Sequence, residues 1–316
     1  MMREAGSDGK PGGGAIARSC WPADKASCSL GRMETADAPK GVPAADAPGT
    51  EGRQYALALG EAELARYRLM AERARATEAD LWQRAGIAAG AEVTDVGCGP
   101  GALLPALSDA VGPRGHVTAI DADPAAVGLA RALAVGAGLA NVTVRQGRAE
   151  RTELPPASCD VVTLRHVLAH NGGAEDLIVV HLATRLRPGG VLYLVDADGT
   201  AMRMVPEDAD VTDLQDRYLA FHAARGNDVR AGLRLGERLV RAGLELIAFR
   251  GTYVIEPIPP GMRQPPWAAR DAMVAAGLAT AHDVARWARA CDRLDAATRR
   301  PTLFAPMFVA LGRRSA

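Results

Sequence analysis

Between residues 90 and 198 the chain alternates short Val- and Ile-rich runs with amphipathic stretches: AEVTDVG, LLPALSDAV, HVTAID, AAVGLARALAVGA, VTVRQG, CDVVTLRHVL, a helical segment over residues 178–186, and VLYLVDAD. Strand-length apolar runs separated by helical segments of about 10–15 residues predict βαβ units, a parallel sheet and right-handed crossovers. Upstream, Leu57, Leu59, Leu64, Tyr67, Leu69 and Met70, then Leu81 and Trp82, recur at helical spacing among Glu and Arg, which predicts two amphipathic helices over residues 55–86. Beyond residue 198 the regularity falls. Helices are expected over residues 213–224 and 232–242, followed by the strand LELIAFRGTYVIE. Pro257, Pro259, Pro260, Pro265 and Pro266 break the chain before a helix-rich segment over residues 267–297, and PTLFAPMFVALGRR reads as a closing strand.

Residues 1–52 lack this periodicity. GKPGGG and ADAPKGVPAADAPGTEG bury too little apolar area to offset ordering entropy, so a disordered tail is expected there, with Met33 as an alternative first residue. Residues 53–316 form the expected folded domain.

Composition narrows the chemistry. The 37 basic and 37 acidic side chains cancel, and no basic stripe stands out, so neither nucleic acid nor a charged membrane surface is an expected partner. No apolar run approaches the roughly 20 residues that span a bilayer, and the N-terminus shows no signal-peptide core; a cytoplasmic protein is expected. All three lysines, Lys10, Lys25 and Lys40, lie in the first 40 residues, which removes P-loop and Schiff-base chemistry from the folded part. The cysteines, Cys20, Cys28, Cys98, Cys159 and Cys291, never approach CxxC spacing, so no zinc site is expected.

The string VTDVGCGPG, Val93 to Gly101, ends a buried strand in a turn with glycines at 97, 99 and 101 just ahead of a helix. Glycine permits positive φ and lets a ligand approach the backbone, so the amides of this turn are the expected cradle. With Ala102 the turn also satisfies the GxGxxA dinucleotide pattern, which keeps NAD binding open. Asp121 ends the next strand, where a carboxylate accepts from ribose hydroxyls; Asp123, ahead of Pro124, is the better helix cap.

Taken in order, VTDVGCGPG with its acid Asp95, Asp121, QGRAERTELPPASCDVV and RLRPGGVLYLVDAD resemble the class I S-adenosylmethionine-dependent methyltransferases, in particular the small-molecule group with a UbiE-like methyltransferase domain. The resemblance covers roughly residues 55–313. It implies a doubly wound, seven-stranded, mostly parallel α/β sheet with an antiparallel last strand, helical lid segments and a lid insertion at about 257–300. It implies S-adenosylmethionine as cofactor, its methionine part against Gly97, Cys98 and Gly99 and its ribose on Asp121. Ala122 would lie beside the adenine and Ala149 would offer it a backbone N–H. Arg148 stands where relatives often carry an acid; being only a donor, it cannot accept from the adenine amino group. Arg165 would meet the methionine carboxylate or the substrate, and Tyr55 and Arg66 are contacts by resemblance alone.

Methyl transfer needs a nucleophile held in line and a base only when that nucleophile is protonated. His166 and His170, four apart in RHVLAH, are the candidate bases, expected to share one helical face. The pair lacks a third ligand and the Glu of HExxH, so no metal is expected. Asp196 and Asp198 in VDADG end the fifth strand toward the same cleft. Met202, Met204, Met273, Trp267 and Trp287 either bound an acceptor pocket or pack helices. The expected activity is methylation of an oxygen or nitrogen of a small-molecule metabolite; a non-methylating, cyclase-like enzyme that binds the same cofactor and an NAD-dependent oxidoreductase are the alternatives.

Overall fold

The computed structural model describes residues 59–316. Tyr55 and the expected tail over residues 1–52 lie outside them. Two helices, α1 (Glu61–Thr77) and α2 (Ala79–Ala85), precede an alternation of β1 (Glu92–Val96), α3 (Leu104–Val111), β2 (His116–Asp121), α4 (Pro124–Gly136), β3 (Val142–Gln146), β4 (Cys159–Arg165), α5 (Glu175–Ala183) and β5 (Leu186–Ala197). Then follow β6 (Arg203–Val205), α6 (Ala209–Ala224), α7 (Leu235–Arg241), β7 (Glu245–Pro257), α8 (Pro265–Ala268), α9 (Arg270–Ala275), α10 (Ala281–Ala296) and β8 (Thr302–Arg313).

Strands β3, β2, β1, β4 and β5 lie side by side and parallel; β8 runs antiparallel to β5 on one side and to β7 on the other. The sheet has eight strands rather than seven, because β6, too short to show alternation, pairs with the first three residues of β8. The antiparallel pair expected near residues 246–255 and 302–312 is the β7–β8 ladder, which runs from Glu245↔Arg313 to Pro257↔Thr302.

Alternation along the central strands fills two cores. Val93, Val161, Val191, Tyr193 and Val195 pack with α2, α3 and Ala130 of α4 on one face. Val96, Val162, Leu164, Leu192 and Leu194 pack with α5 and α7 on the other. Strands buried on both faces explain the near-continuous apolar runs in the sequence. A third cluster is independent of the sheet. Leu214, Tyr218 and Phe221 of α6 pack against Ala268, Met273, Ala279 and Trp287 from the segment between β7 and β8.

That segment spans the residues where a lid insertion is expected from the sequence, and its large side chains pack on α6. Trp287 is fully buried, its Nε1–H donating to Asp213 at 2.9 Å, and Met273 is fully buried beside it. Both are packing residues, and Trp267 is half-buried against the same cluster under the Arg270 guanidinium, 4.7 Å from its ring centre. α10 begins in a capping box in which Thr280 and Asp283 bond each other's backbone. The helix expected over residues 232–242 starts as a tight turn, Ala231–Arg234, before α7. The end of β5 lies so close that a Cβ at Gly232 would meet the carbonyls of Ala197 and Asp196 at 2.8 Å. No helix among the described residues is long and apolar enough to cross a membrane.

Candidate active site

At the end of β1 the chain turns through Gly97, Gly99 and Gly101 at φ of 71°, 54° and 81°, a left-handed backbone that favours glycine at each position. A Cβ at Gly97 would lie 2.2 Å from Val167 Cγ2, so this turn and the segment after β4 touch without a side chain between them. At Gly99 a Cβ would meet Tyr67 Cε1 at 3.1 Å, which sets α1 over the same turn. The amides of the turn are not the cradle expected from the sequence. Gly97 and Cys98 both donate to Ile120 O, at 2.7 and 3.1 Å, and Gly99 donates to Asp121 Oδ2 at 2.8 Å. Parallel pairing with β2 simply continues one step past the strand and consumes these donors, while Val167 and Tyr67 lie against Gly97 and Gly99 where side chains would otherwise stand.

Asp121 reaches from β2 toward that turn. Its Oδ1 accepts from the Asp123 N–H at 2.9 Å, so each carboxylate oxygen keeps a lone pair for a further donor. Burial raises its pKa against the pull of these backbone N–H groups. A half-buried carboxylate with capacity to accept, at the end of β2 beside the glycine turn, fits the vicinal hydroxyls of a ribose. Asp95, 3 % exposed, lies one strand away; burial pushes its carboxyl up to about 6 although the Thr163 hydroxyl donates to it at 2.6 Å. Asp123 caps α4 through Ala125 N–H, ahead of Pro124.

Of the residues expected beside the adenine, Ala122 is exposed and its carbonyl accepts from Gln146 Nε2 at 3.2 Å. Ala149 is half-buried against the second core. Arg148 turns back on Glu150, with which it forms an ion pair. Arg165 departs from expectation. Its Nη1 and Nη2 donate to the two carboxylate oxygens of Glu78 at 3.0 and 2.6 Å, and the Tyr193 hydroxyl donates to Glu78 Oε2 at 2.6 Å. The guanidinium is thus an internal strut that holds the α1–α2 junction to β4 and β5.

The two candidate bases do not share a helical face. The His166 N–H donates to Val195 O at 2.8 Å, which holds the chain on β5 beyond the end of β4, and His166 itself adopts a left-handed φ of 56°. A single tight turn, Leu168–His170, follows, with Ala169 N–H donating to Asp196 Oδ2. A non-glycine residue in this backbone region costs about 1–3 kcal/mol, and such strain concentrates at functional sites. His166 Nδ1 stands 3.8 Å from Asp196 Oδ1, and its Nε2 is buried without a hydrogen-bond partner among the described residues. Burial lowers the His170 pKa to about 4, the Asp196 carboxylate only partly offsetting it, so His170 is neutral at physiological pH. Asp198 accepts from Thr200 and caps a turn. Met202 and Met204 are half-buried.

The pattern of the sequence does not single out His222 or Tyr218 of α6, which complete this corner. The His222 ring centre is 5.0 Å from that of His170 and 4.4 Å from that of Tyr218. From α1, Glu63 is buried and paired with Arg66, whose guanidinium lies 5.1 Å from the Tyr67 ring centre. The only sequence signal for this α6 face is Tyr218, Phe221 and His222 at helical spacing, a pattern that any packed helix shares. Among the described residues no group of three His, Cys, Asp or Glu side chains is placed to hold a metal ion.

Residues 87–237 match the family model described as "Methyltransferase domain". Among curated proteins, the carboxy-S-adenosyl-L-methionine synthase of Dichelobacter nodosus is 31% identical over 138 residues, 43% of this chain and 54% of that protein. The ubiquinone/menaquinone biosynthesis C-methyltransferase UbiE of Hahella chejuensis is 28% identical over 170 residues, 52% of this chain and 68% of that protein. The match to the first of these thus spans about half of its length. A solved structure from Bacillus halodurans C-125, assigned as a methyltransferase, shares the fold with a TM-score of 0.51 at 21% identity, covering 76% of this chain and all of that one. The choice between NAD and S-adenosylmethionine that Gly97, Gly99 and Ala102 left open falls to the latter, and residues 87–237 are a methyltransferase domain.

Proposed function

We propose that the protein methylates an oxygen or nitrogen of a small-molecule metabolite. The cofactor, when bound, supplies a methyl group already activated by a sulfonium. Asp121 accepts from its ribose hydroxyls, and the turn Gly97, Cys98 and Gly99 receives its methionine part once the Val167 and Tyr67 side chains that lie on the two glycines give way. Asp95, one strand over and without a direct ion pair among the described residues, is suited to the ammonium of that part. His166 takes the proton from the acceptor, and Asp196 beside Nδ1 stabilises the resulting imidazolium. The observation that carries this reading is His166 itself: a strained backbone, a buried partnerless Nε2 and an adjacent carboxylate, one residue from Val167, the side chain that rests on Gly97.

Two measurements test it. Calorimetric titration with S-adenosylhomocysteine should give binding that Asp121→Ala weakens by roughly 1–3 kcal/mol, the scale of a lost charged hydrogen-bond partner. Production of S-adenosylhomocysteine across a panel of phenols, amines and carboxylic acids should identify acceptors, and His166→Ala should lower kcat about 100-fold or more while cofactor affinity holds. Unchanged affinity in the first case, or unchanged kcat in the second, removes that residue from its role. The likeness to the Dichelobacter nodosus protein favours a second reading, chemistry on the cofactor without transfer to an acceptor, and acceptor-dependent formation of S-adenosylhomocysteine decides against it.

A further inference from the structure

His222 is held in one tautomer by its neighbours. The Gly172 N–H donates to Asn227 Oδ1 at 3.1 Å, which fixes the orientation of the Asn227 amide. Its Nδ2, necessarily a donor, then faces His222 Nδ1 at 2.8 Å. Nδ1 is therefore the acceptor of the neutral ring and Nε2 carries the hydrogen. This relay is built into the backbone. A Cβ at Gly172 would lie 1.9 Å from the Gly226 carbonyl oxygen, so the two segments cross in contact and only glycine at 172 permits it.

The N–H so defined has nothing to bond. His222 is 1 % exposed, and its Nε2 is buried without a partner among the described residues. Burial, reinforced by the charges of His170 and Arg225, lowers the ring's pKa to about 3, so it remains a neutral donor through the physiological range. An orphaned buried donor costs folding free energy, and such groups in native proteins call for an explanation. Its place supplies one. The ring packs against His170, in the turn that follows His166 and Val167, beside the carboxyl ends of β4 and β5, where open α/β sheets bind ligands. His166 Nε2, in the same turn, is likewise buried and without a partner.

We propose that His222 is a specificity residue whose Nε2–H donates to a carbonyl-type oxygen of the acceptor molecule, next to the atom that receives the methyl group. The proposal rests on the methyl-transfer reading and narrows its substrate class: an acceptor with a second, hydrogen-bond-accepting oxygen, such as a hydroxyl flanked by a ketone.

The test uses the full chain labelled with ¹⁵N and saturated with S-adenosylhomocysteine, with His222→Phe identifying the ring signals. Long-range ¹H–¹⁵N spectra should show His222 as the Nε2–H tautomer at neutral pH, and Asn227→Leu should release that preference. Titration with 2-hydroxyacetophenone should move the Nε2–H resonance downfield, whereas 2-ethylphenol, which lacks the carbonyl, should not. His222→Phe should raise the dissociation constant of 2-hydroxyacetophenone about tenfold, with 2-ethylphenol and S-adenosylhomocysteine unaffected, and His222→Gln, which keeps an N–H there, should restore part of the difference. An Nδ1–H tautomer, a protonated ring at neutral pH, or the same response to both probes, including none, overturns the proposal. Failure to bind S-adenosylhomocysteine at the outset would instead sink the methyl-transfer reading.

Discussion

Replacing Arg165 by Met tests whether its guanidinium is structural. The ion pair with Glu78 is largely withdrawn from water, with side-chain exposures of 17 % and 13 %, and the Tyr193 hydroxyl is the further donor to the same carboxylate. Removing one partner of such a pair strands the other charge, at a cost of about 3–5 kcal/mol. At about 2–4 °C per kcal/mol for a domain of this size, the melting temperature should fall by roughly 10 °C. The loss should depend on pH in a way that identifies its source. Burial pushes the Glu78 carboxyl up, but the charge of Arg165, its hydrogen bonds and the Tyr193 hydroxyl together outweigh that and hold the carboxyl below its ordinary value. In the native chain this group therefore stabilises the fold above the ordinary carboxyl range, and that stability is lost as pH falls through the lowered value. Without Arg165 the balance reverses: burial dominates, Glu78 prefers its proton, and the variant should gain stability as the solution is acidified toward the carboxyl range. Urea denaturation followed by circular dichroism across pH 4–8 measures both curves. Combining Arg165→Met with Glu78→Leu and Tyr193→Phe, which removes every polar member, should recover most of the loss. A single variant that loses less than about 1 kcal/mol while cofactor affinity drops tenfold or more would refute the argument and return Arg165 to the cofactor.

The remaining predictions concern the turn and the helical layer. Asp95, whose folded carboxyl is pushed up to about 6, holds its proton more tightly folded than unfolded, so its contribution is present in acid and lost as pH rises through that value. Asp95→Asn should therefore stabilise the ligand-free protein at pH 7.5, by on the order of 2–3 kcal/mol, with little effect below pH 4; denaturation at the two pH values checks the sign. Gly97→Ala places a methyl 2.2 Å from Val167 Cγ2 on a φ of 71° and should cost at least about 1–2 kcal/mol from the backbone alone. Adding Val167→Ala should recover the steric part of that loss and not the conformational part, as thermal melts of the two variants would show. Asp213→Ala strands the buried Trp287 N–H and two arginines and should cost about 2–3 kcal/mol. Hydrogen exchange should locate the loosening in α6 and α10, with the dissociation constant of S-adenosylhomocysteine unchanged.

What the sequence discloses and what it withholds follow from the range over which each signal acts. The parallel strands are legible because burial on both faces leaves runs such as VTDV and CDVV, and the glycine turn because three positive-φ positions need three glycines. β6 is not, since three residues carry no period. The fate of Arg165 depends on Glu78, a partner 87 positions away, and the role of Trp287 on Asp213, 74 positions away. His166 and His170 misled because a spacing of four suggests a helix only where the backbone is helical, and hydrogen bonds to Val195 and Asp196 of β5 hold this segment instead. The turn amides were assigned to a ligand because nothing local shows that Ile120 and Asp121 claim them first. His222 stayed hidden for a similar reason: its tautomer is decided by Asn227 and Gly172, which only the folded chain brings together.

The helices that follow β7 leave the sheet at Pro257 and rejoin it at Thr302, and these two residues face each other across one rung of the β7–β8 ladder. The excursion thus begins and ends at a single point, and its length makes almost no demand on the strands beneath it. Variation in that excursion can remodel the face of α6 that carries Tyr218 and Phe221 while β1, β2 and their glycine turn stay as they are. The helical layer above the sheet and the glycine turn within it are, in this architecture, separately inheritable.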